Sequence, residues 1–324
     1  MKMRAAGTKF FLSSLFLLCS WQTAPTSNQA SDSIFYFHSS AWVNLHHYLY
    51  NEAFRSEKAS QLMSGLDKSE KAQLARAIQF YQDYFKGRDL LFDDGLTNIN
   101  TELSRVENQE NINSSKIPED LRKILQSFMP VYKCHLWQQQ DRENQIWAEN
   151  TKSLLRKYGI ATQRDLEKVL DRKFSDGPYR FDIVHESNWS GAYTYSPPHT
   201  VISSGRPSYS NLSALEMVFH ESLHAGPFDK VQSVIDQEFS KIHATDSDQL
   251  WHAILFFTAG EIVRKRFADD GIAYEPYAYK NGLFASDRKW GKCEPLLRKY
   301  WLPYLQGQGD MRSSISEFVK ESTK

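Results

Sequence analysis

The chain has 324 residues, of which 41% are hydrophobic and 24% are charged, and this composition excludes a disordered, fibrous or collagen-like protein. Its 39 basic and 39 acidic residues give a formal net charge of zero. Because nucleic-acid-binding proteins usually carry a basic surplus, the sequence predicts no nucleic acid partner.

The first thirty residues have the pattern of an export signal. Three basic residues precede an apolar stretch, Phe10 to Trp21, which is too short to cross a bilayer as a helix. We therefore expect a signal peptide over residues 1–30, no transmembrane helix in the mature chain, and a secreted, periplasmic or cell-envelope location. A Leu-Leu-Cys sequence ending at Cys19 leaves a lipid anchor there as an alternative.

Only two cysteines, Cys134 and Cys293, lie beyond the signal. In an exported protein they can form a disulfide, and two separate buried thiols fit the sequence equally well. They do not have the paired spacing of a zinc ribbon.

The region from residue 31 to 174 is predicted to be helical, because apolar residues recur in it at helical spacing. The polar stretch Asn98 to Asp120 predicts a loop within it. Leu154 to Leu170 predicts a further helix, with a break at Gly159.

An aromatic and imidazole cluster falls on the first of these helices. His38, Trp42 and His46 share one helical face, and His47 follows directly. Neighbouring histidines can hold a metal ion, but a face rich in aromatic residues is also typical of a helix packed in a core. We expect core packing and keep a second metal site as the alternative.

The pattern changes at the region 175–310, where turn residues separate short alternating or apolar stretches. Tyr179 to Val184, Ala192 to Tyr195 and His199 to Ser203 are predicted strands. Because they follow one another closely, we expect them to form a short β-meander.

A helix that carries candidate metal ligands is predicted directly after these strands. His220 and His224 lie four residues apart, so both rings share one helical face and can bind one ion. Glu221 lies about 100° further around the helix, where it faces a water held by that ion rather than the ion itself. A carboxylate there can act as a general base and then as a general acid.

Ser213 and Glu216 have the spacing of a capping box at the start of this helix. Three further helices are predicted: Val231 to Ile242, a longer helix from Thr245 or Asp246 to just before Gly271, and a tail helix within residues 311–324.

The segment His220-Glu221-Ser222-Leu223-His224 resembles the zinc-binding motif of the zincin metallopeptidases, over roughly Tyr179 to Asp270. The resemblance implies one zinc ion, a peptide or protein substrate, and Glu221 as the catalytic residue. It also implies a small sheet above the motif helix, whose edge strand binds extended substrate by strand addition. Thr200 to Ser204 is then placed as that edge strand.

The third zinc ligand distinguishes the zincin subgroups. Pro227 and Lys230 stand where metzincins carry a glycine and a third histidine, and Asp229 is one residue short of the position of an aspartate ligand. The resemblance therefore points to the gluzincins, in which a glutamate of a later helix completes the site.

Glu261 is the preferred third ligand, because it lies in an apolar run where an unpartnered carboxylate is costly to bury. Lys265 stands where gluzincins carry an aspartate, so a surface pair of Glu261 and Lys265 remains an alternative. His252 is the rival ligand. It lies nine residues earlier on the same predicted helix and faces the opposite way.

A zinc peptidase also needs a hydrogen-bond donor for the charge that develops on the substrate oxygen. His252 and Tyr279 are candidates for this role, and Tyr277 and His199 are further available donors. The sequence does not choose among them.

The expected fold class is α+β, mainly α. It comprises a helical N-terminal portion and a zincin-like unit of β-meander, motif helix and long following helix. The expected function is that of an exported zinc-dependent metallohydrolase, a peptidase that cleaves amide bonds with a water held by zinc and activated by Glu221. The alternative is a non-catalytic extracytoplasmic binding protein that keeps the motif helix structurally or as a metal site.

Overall fold

The computed structural model describes residues 34–55, 65–107, 109–175, 177–246 and 248–324. The predicted signal peptide and the candidate lipid anchor at Cys19 lie outside these residues. Four strands of the described chain form one sheet: β1 (Phe35–His38), β2 (Tyr179–Val184), β3 (Ala192–Tyr195) and β4 (His199–Ser203).

The sheet has the order β1-β2-β4-β3. β1 runs parallel to β2, and β2 runs parallel to β4. β3 pairs antiparallel with β4, with Thr194 opposite Thr200. The sheet is therefore mixed, and β3 lies at its edge.

The three predicted strands are confirmed, but the predicted β-meander is wrong. The short connection from β3 to β4 forces these two strands to pair antiparallel. All residues of β4 are buried, which suits an inner strand and places β4 between β2 and β3. The expectation that Thr200 to Ser204 is the edge strand is therefore also wrong.

β1 is a further difference from the expected helical N-terminal region. Its four residues, Phe35 to His38, are too short a stretch for a period to be read from the sequence. Their strand conformation is fixed by pairing with β2, more than 140 positions later in the chain.

Four helices follow β1: α1 (Ala41–Phe54), α2 (Lys68–Tyr84), α3 (Asp94–Val106) and α4 (Glu119–Tyr132). A capping box of Asp67 and Glu70 starts α2, and the Asp93 carboxylate caps α3. The loop predicted from Asn98 to Asp120 is shorter than expected, because α3 continues to Val106.

α4 continues into α5 (Gln138–Leu154) and α6 (Ile160–Leu170) through π-helical turns at Lys133–Trp137 and Leu155–Gly159. The break predicted at Gly159 is wrong. A π-helical turn takes up the glycine by widening one turn, so the helical path is not interrupted.

The motif helix is α7 (Leu212–Leu223), and it is followed by α8 (Asp229–Lys241) and α9 (Leu250–Asp269). Both helices predicted after the motif are confirmed. The predicted capping box is wrong: Asn211 precedes α7 without a side-chain cap, and Ser213 and Glu216 are both buried. Glu216 instead accepts hydrogen bonds from the chain that follows α9.

Short helices complete the chain: α10 (Tyr277–Lys280), α11 (Cys293–Leu296), α12 (Leu302–Leu305) and α13 (Met311–Ser322). α13 confirms the predicted tail helix and packs against α8.

Two buried clusters cover the two faces of the sheet, and both lie in one compact unit, Ser33–Lys324. Successive strand residues point to opposite faces. Phe181, Ile183 and Ile202 therefore join the cluster that contains α7 and α9, whereas Val184, Tyr193 and Val201 join the cluster of α1 to α4. The fold is α+β and mainly helical, as predicted.

Two further predictions concern the cysteines and the membrane. Both Cys134 and Cys293 are free thiols, the first exposed and the second buried, so they form no disulfide. Within the described ranges, no helix has the length and the apolar character needed to span a membrane.

Candidate metal centre

α7 holds the two motif histidines rigidly. Its residues from Ser213 to Leu223 are all buried, and the helix packs against β3 and α9. The backbone stays helical through His224, the C-terminal cap, whose φ is −63° and ψ is −19°. As predicted, His220 and His224 share a face, and their Nε2 atoms lie 3.3 Å apart.

A third histidine comes from the first turn of α9. The Asp246 carboxylate accepts hydrogen bonds from the backbone N–H groups of Leu250 and Trp251 and so fixes the start of this helix. Because α9 packs along α7, the Nε2 atom of His252 lies 3.3 Å from that of His220. One ligand atom from each of the three histidines lies within 4.8 Å of the other two.

This spacing fits a tetrahedral zinc ion. Zinc–imidazole bonds of about 2.0–2.1 Å place two ligand nitrogens about 3.3 Å apart in a tetrahedron. Mutual hydrogen bonding explains the cluster less well, because an imidazole nitrogen carries either one N–H or one lone pair. The Nε2 atom of His220 can therefore satisfy only one of its two neighbours, His224 or His252.

The burial of the three imidazoles favours the form that binds metal. Burial lowers the pKa of His224 to about 4. Burial also holds the pKa values of His220 and His252 well below the usual range, and the charge on neighbouring groups lowers them further. Neutral imidazole keeps the free lone pair that a divalent cation requires.

Aromatic rings pack around the three histidines. Phe256 stacks on His220 with ring centroids 3.9 Å apart, and Trp251 stacks on His252 at 4.8 Å. Trp290 meets the same His252 ring edge-on at 5.4 Å. These contacts fix the orientation of the imidazoles and surround them with a medium of low polarity, which strengthens electrostatic interactions.

Glu221 lies next to the cluster and is 4% exposed. Burial raises the pKa of its carboxyl group to about 7. The Thr194 hydroxyl of β3 donates a hydrogen bond to Glu221 Oε2 at 2.8 Å, the one side-chain hydrogen bond that Glu221 receives within the described chain. A carboxyl group with a pKa near neutrality is suited to accept and return a proton.

The structure does not bring Glu261 to the motif histidines. It lies about two and a half turns beyond His252 on α9, and its carboxylate forms an ion pair with Arg264. Burial raises the pKa of Glu261. Lys265 is paired with Asp165 and not with Glu261. The third member of the cluster is therefore His252, the rival that the sequence offered.

Tyr279 lies in the surroundings of Glu261. Its ring packs 5.3 Å from that of Phe284, and the Arg298 guanidinium lies 5.2 Å from its centre. His199, a further donor considered from the sequence, is hydrogen-bonded to Asp182 on the sheet face opposite α7. Neither residue contacts the three histidines within the described chain.

Glu216 supports the site in a way that the sequence analysis missed. Its Oε2 atom accepts hydrogen bonds from the Tyr274 hydroxyl at 2.6 Å and from the Tyr277 backbone N–H at 2.9 Å. Tyr277 in turn stacks on Phe256, with centroids 5.7 Å apart. The sequence contains one indication of this role: Glu216 precedes His220 by four residues and so shares its helical face.

The N-terminal histidine cluster is part of the core. His46 Nδ1 lies 2.7 Å from the Tyr81 hydroxyl, and His47 Nε2 lies 2.8 Å from the Tyr193 hydroxyl. Both histidines are fully buried. The prediction of core packing is therefore confirmed for His46 and His47. It is wrong for His38, which ends β1 instead of sharing a helical face with His46 and whose side chain is 37% exposed. Among the described residues, the cluster of His220, His224 and His252 is the one group placed to hold an ion.

Neither the family models nor the curated proteins nor the solved structures contain a match to this chain. The function of the site is therefore inferred from its own geometry and chemistry.

Proposed function

We propose that this chain is an exported zinc-dependent metallohydrolase of the peptidase class. His220, His224 and His252 hold one zinc ion, and Glu221 is the general base. The observation that carries the proposal is the convergence of three imidazole nitrogens at the spacing of zinc ligands, beside a buried carboxylate.

His220, His224 and His252 would hold the ion through their imidazole nitrogens, and a zinc ion bound there would supply the Lewis acid that polarises a substrate carbonyl and activates water. Glu221 accepts a proton from the attacking water and later gives it to the leaving amine. The aromatic rings of Phe256 and Trp290 pack against His220 and His252 and so hold these two imidazoles in place.

The edge position of β3 supports a peptide substrate. Ser203 N–H donates to the Gly191 carbonyl at 2.9 Å, so the alternate residues Ala192 and Thr194 direct their backbone polar groups away from β4. Within the described chain no other strand pairs with β3. An extended peptide that added to this edge would pass the residue whose hydroxyl contacts Glu221.

The test compares wild-type protein with Glu221→Gln. Both proteins should bind about one zinc per chain, because Glu221 is not a ligand. The variant should lose about 100-fold to 10,000-fold of the hydrolysis rate on a mixed peptide library, because it lacks the general base. Zinc is measured by elemental analysis and cleavage by mass spectrometry. Glu149→Gln, at an exposed ion pair with Lys152, is the matched control and should change neither quantity.

Absence of zinc from the wild-type protein would refute the proposal. Zinc-loaded wild-type protein that cleaves neither peptides nor simple amides and esters would favour the alternative, an extracytoplasmic protein that binds metal without catalysis.

A further inference from the structure

Two threonines of the sheet and Glu221 are linked by two successive hydrogen bonds. Thr194 of β3 and Thr200 of β4 are direct cross-strand partners, and their Oγ1 atoms lie 2.8 Å apart. The Thr194 Oγ1 atom also lies 2.8 Å from Glu221 Oε2. Both side chains therefore point to the sheet face that packs against α7.

The donor and the acceptor in each of these two hydrogen bonds follow from the number of protons available. A hydroxyl group has one proton to donate and two lone pairs that accept. Since an ionised carboxylate can only accept, Thr194 must give its proton to Glu221. Thr200 must then donate to Thr194, and its burial at 2% exposure leaves little competition from water.

The pair is also held in place by its position in the sheet. Thr194 and Thr200 form the type of cross-strand pair that lies between the ladder hydrogen bonds, where opposing side chains are closest. β-branched side chains have few χ1 rotamers, so the hydroxyls have little freedom to turn away.

The buried threonines of the helices do not act in this way. Thr151 and Thr258 donate to carbonyl groups one turn earlier in their own helices, which is a local contact. Thr194, by contrast, donates to a carboxylate that belongs to a different element.

We propose that Thr194, held by Thr200, is the positioning residue for Glu221. It fixes Oε2 and leaves Oε1 as the oxygen that accepts the proton of the attacking water. This inference rests on the proposed function of Glu221 as the general base.

The test uses a ligand whose binding requires the same proton transfer. Acetohydroxamic acid loses a proton when it chelates a metal, and Glu221 is the group placed to accept it. Its affinity is measured on the cobalt-substituted full-length protein from the visible spectrum, without any catalytic turnover. The variants are Thr194→Val, Thr194→Ser and Thr200→Val. The matched control is Thr162→Val, because Thr162 is fully buried and its hydroxyl has no partner in the described chain.

Thr194→Val should weaken acetohydroxamic acid binding about tenfold, because the Glu221 carboxyl group can then rotate and its Oε1 atom is no longer held where it accepts the proton. Thr194→Ser keeps the hydroxyl and should stay within about twofold of wild type. Thr200→Val removes only the supporting donor and should weaken binding about threefold. Thr162→Val should have no effect, and cobalt content should be the same in all proteins.

Equal affinity in Thr194→Val and wild type would overturn the inference, and so would a Thr194→Ser variant as weak as Thr194→Val. If Thr194→Val does not fold, Thr200→Val decides in the same way, because it leaves Thr194 in place. Wild-type protein that takes up no metal would overturn both this inference and the proposed function. Protein that binds metal, binds acetohydroxamic acid with the expected ranking of variants and hydrolyses nothing would overturn the hydrolase proposal but keep the positioning of Glu221 by Thr194.

Discussion

The molecule contains two clusters of buried histidines, on opposite sides of its sheet, and they differ in what their nitrogens meet. In the N-terminal cluster, three of the four ring nitrogens of His46 and His47 lie within hydrogen-bond distance of a tyrosine hydroxyl or a backbone carbonyl. In the C-terminal cluster, the Nε2 atoms of His220, His224 and His252 lie against one another.

This difference separates a structural histidine from a candidate ligand. An imidazole with a complementary hydrogen-bond partner is satisfied in a core without any ion. Imidazoles that present their nitrogens to each other leave at least one of them unsatisfied, and a cation resolves this. Burial and histidine content alone do not distinguish the two clusters.

The largest effect is expected from His252→Ala. Loss of one of three ligands should lower zinc affinity by more than about 100-fold, a larger effect than that of removing a group that only supports a ligand. Competition with a chromophoric chelator measures the affinity. Glu261→Gln is the contrasting variant and should bind zinc within about threefold of wild type, since Glu261 is paired with Arg264. The opposite ranking would assign the third ligand to Glu261.

The choice between these two residues shows where the sequence stops being informative. The four-residue spacing of His220 and His224 fixes a shared helical face, because that relation is local. Which residue of α9 reaches them depends on how α9 lies along α7, and that is set by packing between distant segments. Glu261 was the preferred ligand because a carboxylate buried in an apolar run needs a partner, but its ion pair with Arg264 already supplies that partner.

The sheet shows the same division. The three predicted strands were recognisable from their turns and their apolar pattern. Their order in the sheet was not recognisable, because β1 pairs with β2 across more than 140 residues of sequence. In addition, β4 lies inside the sheet, where all its residues are buried. The role of Glu216 was hidden for the same reason, since its partners Tyr274 and Tyr277 lie beyond α9.

The second prediction concerns the N-terminal cluster. His47→Phe should leave zinc affinity unchanged but lower the free energy of unfolding by about 1–3 kcal/mol, because it deprives the buried Tyr193 hydroxyl of its partner. Urea denaturation of the metal-free protein measures this. A His47 variant that loses zinc would show that the two clusters do not differ as described.

The third and smallest effect is a difference in pH dependence between the two sides of the sheet. Burial raises the pKa of Glu216 to about 7, and hydrogen bonds from Tyr274 and Tyr277 offset this only in part. The folded protein therefore binds more protons than the unfolded chain between the ordinary value of 4.5 and about 7. The contribution of Glu216 to the free energy of unfolding should therefore fall as the pH rises through this window.

Glu216→Gln should remove this contribution, so that the change in the free energy of unfolding between about pH 5 and about pH 7.5 differs from that of wild type by about 1–2 kcal/mol. Urea denaturation of metal-free wild type and variant at both pH values measures it. An unchanged slope in the variant would contradict the assignment.

Asp182, on the N-terminal side, is the contrasting carboxylate. Burial alone would raise its pKa, but the hydrogen bond from His199 and the charges of His199 and Arg180 outweigh it and leave the pKa lowered. Its contribution to stability is therefore present above the ordinary aspartate pKa and is lost as the pH falls below it. Asp182→Asn should flatten the stability profile at acidic pH and not between pH 5 and pH 7.5.

X-ray absorption spectroscopy at the zinc edge of the purified protein tests the central claim most directly. The expected spectrum is that of one zinc per chain with three imidazole nitrogens at about 2.0–2.1 Å and one water oxygen that completes a tetrahedron. A protein without zinc, or a zinc with two imidazoles and a protein carboxylate, would contradict the assignment of His220, His224 and His252.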